Sequence, residues 1–182
     1  MITPIKPKDL VLPPVDTWFR RWFVLTAGDM DRFNAMTVAW GSIGGIWEMP
    51  MVQVVVRPSR YTFGFMNDFP DFTLCSFPPR YRRDLGILGS KSGRDGDKIA
   101  LTRLTVKRSE AVAAPCFQEA DLVIECRKIY WQDLDPDHFL SPKIMPNYPE
   151  RDFHRAYFGE ILRVRGGRRP LLQGGRPGHR VP

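Results

Sequence analysis

A mainly β protein, one closed antiparallel barrel with a few short helices, is the architecture this sequence predicts, and three observations predict it. Short apolar, β-branched segments bounded by turn residues recur about every ten residues. Helical stretches are inserted between them instead of alternating with them, which disfavours a doubly wound sheet. The glycine clusters, Gly44 with Gly45, Gly93 to Gly96 and those near the C-terminus, lack the G-x-G-x-x-G spacing that opens a dinucleotide-binding helix after a strand. No internal repeat is visible.

Taken in chain order, residues 1–16 are punctuated by proline and read as extended. The aromatic and aliphatic run Trp18 to Ala27 reads as a strand ending at Gly28. Asn34 to Gly41 and Met51 to Val56 are short and apolar, and Gly44 with Gly45 marks a turn or a close approach between them. Tyr61 to Phe65 opens a short segment, and Phe72 to Phe77 follows the turn-rich stretch around Pro70 as a strand. Helices are expected over Arg80 to Leu88 and, briefly, over Lys98 to Leu104, with Ser92 to Lys98 a polar loop. Ala120 to Leu134 forms the longest predicted strand, and Arg155 to Val164 the last.

With 182 residues, 43% hydrophobic and 26% charged, the chain suits one sizeable core better than two domains. No apolar run approaches the roughly 20 residues of a membrane helix, and the N-terminal stretch lacks an apolar signal-peptide region. A cytoplasmic protein without a membrane partner is the expectation. Cys75, Cys116 and Cys126 are odd in number and lack C-x-x-C spacing, so they read as reduced, small hydrophobes, neither disulfide framework nor zinc site. The net charge of +7 invites a nucleic-acid reading, but residues 165–182 hold five arginines and no acid, which leaves the remainder near neutrality. Residues 1–164 are therefore read as the domain, and 165–182 as a disordered Arg/Gly/Pro-rich tail, solvated in preference to RNA-binding.

The chemistry concentrates in two places. A β-run rich in small residues, Met36, Thr37, Ala39, Gly41, Gly44 and Gly45, leaves room for a flat ring against backbone, and the backbone N–H groups and small side chains of Met36, Thr37, Val38, Ala39 and Trp40 are the candidates to face it. Arg57, Ser59, Arg60 and Thr62 then fall in one turn stiffened by Pro58, where two guanidiniums and two hydroxyls suit a phosphate. A solvated turn is the competing reading. Ser92, Arg94 and Lys98 make a second polar cluster, able either to add charge to a phosphate or to act as loop and helix cap. Trp40 and Trp47 read as ring-flanking residues or as core or interface aromatics. His138, among Asp133, Asp135 and Asp137, reads as an exposed turn instead of a metal site, since no second histidine or cysteine is near.

These same residues carry a family resemblance. N-x-M-T-x-x-W-G at 34–41, P-x-x-x-V-x-V-R-P-S-R-Y-T at 50–62, S-G-R-x-x-D-K at 92–98 and H-x-x-x-x-G-x-[IV] at 154–161 occur in the order seen in the flavin reductase-like, FMN-binding split-barrel family, flavoredoxin branch. The resemblance spans roughly residues 15–164 and implies a Greek-key split β-barrel with FMN as cofactor. It implies a homodimer with the flavin near the subunit boundary, for which the 12% aromatic content offers cover. It also implies that a nicotinamide is received over the flavin, with His154 on that side. Asp152 and Phe153 precede His154 where the family pattern has Gly-Asp, and a strand histidine satisfied by a neighbour is the alternative. Two functions follow: an NAD(P)H-dependent flavin reductase using NADH or NADPH, or a flavoredoxin-like electron carrier serving a redox partner protein. Either needs no catalytic triad, because the isoalloxazine brings its own redox chemistry.

Overall fold

The structure, a computed structural model, describes residues 2–166. Its strands are β1 (Thr3–Ile5), β2 (Phe23–Gly28), β3 (Phe33–Val38), β4 (Gly41–Ile46), β5 (Met49–Val56), β6 (Asp71–Ser76), β7 (Val106–Lys107), β8 (Cys116–Phe117), β9 (Leu122–Asp133) and β10 (Arg155–Gly166). The helices are α1 (Pro14–Asp16), α2 (Thr62–Asp68) and α3 (Arg82–Ser90), with a π-helical turn at Thr17–Arg21 and short 3-10 turns elsewhere.

One sheet runs in the order β3-β2-β6-β9-β10-β5-β4, with β1 added to β10. Every pairing is antiparallel. The edge strands β3 and β4 stand at opposite ends of this order, yet only Ala39 and Trp40 separate them in the chain. A link that short spans about 10 Å at most. The sheet must therefore curl until its edges nearly meet without pairing, which is a split barrel, and the predicted ring-facing residues lie at the split.

One core fills the barrel, with Phe23, Leu25, Val54, Phe72, Ile124 and Tyr157 among its buried members. A second lies on the outer face of β2 and β6, where Val24, Cys75 and Val123 meet Leu85 and Leu88 of α3 and Phe117 of β8. Both faces of β2 and β6 are thus covered, and all residues of each are buried. All three cysteines are buried and free, and burial holds the Cys75 and Cys126 thiols far above their ordinary pKa. Gly159 of β10 is needed for this packing. A Cβ there would lie 2.5 Å from Cε1 and Cζ of buried Phe72.

Several local expectations are corrected. Trp18 to Trp22 are not strand: α1 continues as the π-helical turn, supported by an Asp16–Arg20 ion pair at 3.3 Å, and the strand starts at Phe23 after Trp22 at φ 62°. Burial of Trp18 against Phe23 outweighs its β propensity. Gly44 and Gly45 lie within β4, paired with Met51 and Pro50, and the turn falls on Trp47 and Glu48, both at positive φ. The left-handed conformation costs about 1–2 kcal/mol per residue, and Trp47 offsets part of that edge-on to Tyr130 at 6.0 Å. Residues 98–104 form turns, not a helix. Asp97 Oδ1 accepts from the N–H groups of Ile99 and Ala100, and Arg103 is drawn to Asp84, so side chains take the backbone's place. Arg165 and Gly166, assigned to the tail, belong to β10, where Arg165 pairs with buried Glu125 at 3.1 Å. The rest of that proposed tail, 167–182, lies outside the described residues.

Candidate functional site

The turn after β5 and the loop after α3 close on each other to form a small pocket of about 110 Å³. Met36, Ser59, Arg60, Thr62, Ser92, Arg94 and Lys98 all line it, so seven of the sequence-predicted residues from three separate segments converge. Asn34, Tyr61, Ser90 and Lys91 complete the lining. Among the described residues, four cationic side chains and no carboxylate face this space. Gly93 lets the two segments meet, since a Cβ there would fall 2.3 Å from Asn34 Oδ1 and 2.9 Å from the Tyr61 ring.

Each polar group has a determined role. Arg60, half-buried, donates from Nη2 to the Gly89 carbonyl at 2.6 Å, and burial followed by the nearby Arg57 charge lowers its pKa. Thr62 is buried and accepts from Asn34 Nδ2 at 2.7 Å, which leaves its own hydroxyl hydrogen to donate. Arg94 lies over the Tyr61 ring and donates to the Ser59 carbonyl at 3.1 Å. Lys98 is buried with Nζ on the Leu88 and Lys91 carbonyls at 3.0 and 3.1 Å, so it caps the end of α3 and keeps one hydrogen in reserve. Burial and then the Arg60 charge push its pKa down to about 8.

Arg57 goes elsewhere. The alternation of β5 buries Val52, Val54 and Val56, which turns Arg57 to the opposite face. There it meets Asp152 at 2.8 Å and the Asn147 carbonyl at 2.7 Å, with its guanidinium over the Tyr148 ring. Ser59 Oγ also donates to Asp152, at 2.8 Å. The four-residue phosphate turn expected from sequence is thus divided. Arg60 and Thr62 face the pocket, Arg57 belongs to the adjoining cluster, and Ser59 touches both.

That cluster contains His154. Its ring is buried, 5.2 Å from the Trp40 ring, and Nδ1 lies 2.8 Å from the Tyr148 hydroxyl. Burial, then the Arg57 charge, push its pKa down to about 4. Of the run 36–40, Val38 is core, Thr37 donates to the Leu85 carbonyl and anchors α3, Ala39 is half-buried, and Trp40 is 42% exposed at the split. Trp47 sits with Tyr130 at the hairpin tip and not with Trp40. His138 is exposed in a 3-10 turn capped by Asp135. Sequence reasoning passed over Tyr148 and saw Asp152 only as a departure from a pattern; neither has a sequence neighbour that signals its role.

A larger apolar groove, about 510 Å³, runs between Leu10, Leu12 and Trp18 on one side and Ile43 and Met49 of the β4–β5 hairpin on the other. None of the predicted cofactor residues lines it.

Comparison with known proteins now identifies the class. The model of the Flavin reductase like domain matches residues 20–172, and the chain belongs to that family. The fold is similar to flavoredoxin of Desulfovibrio vulgaris (Miyazaki F), at 24% identity and TM-score 0.64, covering 87% of this chain and 73% of that one. An FMN-binding domain of a flavin reductases-like enzyme from Shewanella baltica aligns at 14% identity and TM-score 0.65, covering 91% and 77%. An NADH:FAD oxidoreductase of Streptomyces globisporus aligns at 15% and 0.61, covering 79% and 73%. No curated protein matches the chain. Family membership makes this a flavin-binding redox protein. Among the described residues no helix is long and apolar enough to cross a membrane, and no group of three or more His, Cys, Asp or Glu is arranged for a metal.

Proposed function

We propose that the protein binds FMN and works as an NAD(P)H-dependent flavin reductase. The observation that carries this is the carboxylate-free pocket, where Arg60, Arg94, Lys98 and the Ser59, Thr62 and Ser92 hydroxyls supply donors to a phosphate-sized space. The pocket has room for a phosphate and not for a tricyclic ring, so Met36 to Trp40 at the open split are the residues that would face the isoalloxazine. Riboflavin, lacking the phosphate, forgoes this anchoring. When bound, FMN supplies the two-electron chemistry, accepting a hydride from reduced nicotinamide and passing electrons to an acceptor. The chain's share is to hold the phosphate, exclude competing acids from the pocket and present a neutral His154 beside Trp40 on the donor side.

Trp40, Trp47, Tyr130 and Trp131, each 42–55% exposed, are the basis for proposing a homodimer. A light-scattering mass of one chain at micromolar FMN-bound protein overturns that.

The test of function is anaerobic. Purified protein reconstituted with FMN is mixed with NADH or NADPH and the loss of the oxidised flavin band is followed. Bleaching by either supports a reductase. Bleaching by dithionite alone replaces it with an electron carrier, the function that the similarity to flavoredoxin keeps in view.

A further inference from the structure

We propose that Tyr148 is a positioning residue that locks His154 as the Nε2–H tautomer, making its imidazole a neutral hydrogen-bond donor matched to a carbonyl oxygen such as a nicotinamide carboxamide. The choice of ligand rests on the reading of His154 as a donor-side residue; the tautomer does not.

The argument begins with the hydroxyl. Tyr148 is buried, and among the described residues its Oη has one side-chain partner, His154 Nδ1 at 2.8 Å. A buried hydroxyl without another acceptor gives its hydrogen to the partner it has, because leaving it unpaired costs about 1–3 kcal/mol. Nδ1 therefore accepts, and the proton of a neutral imidazole must sit on Nε2.

The phenol is held for this task. Its ring stacks on Phe139 at 5.9 Å and 21°, tilts against Phe153 at 5.1 Å and carries the Arg57 guanidinium at 5.1 Å from its centroid. Arg57 is held in turn by Asp152. The tyrosine thus has little rotational freedom, and the imidazole inherits a fixed ring plane next to Trp40. An imidazolium is disfavoured in this setting by burial and by Arg57, so the group on offer is a neutral N–H, suited to a carbonyl oxygen and not to a carboxylate or phosphate.

Long-range ¹H–¹⁵N correlation spectra of the histidine rings test this, with His154 assigned by its loss in His154→Gln. In the wild-type protein at pH 6–8, Nδ1 should resonate as an unprotonated and Nε2 as a protonated nitrogen. The reversed pattern overturns the proposal. Tyr148→Phe keeps the ring packing and removes the hydroxyl; its two nitrogens should move toward averaged shifts, and unchanged shifts overturn the lock. In anaerobic turnover, Tyr148→Phe should raise the KM for the nicotinamide about tenfold, the scale of one hydrogen bond, with kcat moving much less and FMN affinity unchanged. A normal KM with altered nitrogen shifts removes the positioning role. If neither NADH nor NADPH reduces the wild type, the reductase reading fails, while the nitrogen shifts still decide the tautomer.

Discussion

Arg57 and Asp152 form an ion pair, Nη1 to Oδ1 at 2.8 Å, that joins the end of β5 to the loop before β10 and separates two neighbouring sites. On one side lies the cationic pocket with Arg60; on the other, the buried pair Tyr148 and His154. Two arginines three positions apart thereby acquire different work.

Replacing Arg60 by Ala should therefore weaken FMN binding by about 10- to 100-fold, the range of one or two charge-assisted hydrogen bonds. Arg57→Ala should change it by no more than about threefold. Instead, loss of Arg57 removes a charge that lowers the His154 pKa and frees Asp152, which raises it, so that pKa should climb above about 4. Fluorescence titration with FMN and a histidine NMR titration measure the two effects, and equal losses of FMN affinity in both variants contradict the division.

Lys98 sets an alkaline limit. Its pKa in the free protein is pushed down to about 8 by burial and Arg60, so its charge is lost as pH rises through that value. The FMN phosphate is already dianionic there, its second pKa being about 6. FMN affinity should fall between pH 7.5 and 9.5, with proton uptake on binding near pH 8.5, and Lys98→Met should be weaker at neutral pH and flat across that range. Stability runs the other way. Between the folded value of about 8 and the unfolded 10.5 the unfolded chain binds the extra proton, so the burial penalty of Lys98 is relieved as pH rises. Isothermal calorimetry in buffers of different ionisation enthalpy reads the proton uptake.

His154 produces acid sensitivity. Its folded pKa, about 4, lies below the ordinary 6.5, so between those values the unfolded state holds more protons and stability declines as pH falls. Urea unfolding at pH 7 and pH 4.5 should show a smaller acid loss for His154→Gln than for the wild type. Well above pH 6.5 the group is neutral in both states and its contribution to the slope fades.

Gly159→Ala should destabilise the fold by about 1–3 kcal/mol, the cost of overpacking. The added methyl would meet the Phe72 ring at 2.5 Å, and Phe72 is fully buried. A paired Phe72→Leu change should recover part of the loss in urea unfolding; an alanine variant as stable as the wild type would show that the ring yields freely.

Much of the pocket lining was legible as spacing. Arg60 and Thr62 two apart in a proline-stiffened turn, and Ser92, Arg94 and Lys98 at short intervals, are local arrangements that follow the chain wherever the fold carries it. Arg57 was assigned to the same turn because composition does not report strand phase: one step past Val56 reverses the face of the sheet. Trp18 to Trp22 misled for a related reason, since aromatic residues favour strands only when a sheet takes them, and here the Trp18 ring fills the barrel beside Gly41.

Sequence alone determined the mainly β class, the family through four ordered motifs, and the residue types suited to an anion, because these depend on local periodicity and chemistry. Tertiary structure decided which of those residues share a pocket, that β3 and β4 bracket an open split joined by Ala39 and Trp40, and that Tyr148 and Asp152 stand behind His154 and Arg57. Such relationships are made by barrel closure and burial, which join segments nearly a hundred residues apart and shift proton affinities through desolvation, a quantity that exists only once the chain has packed.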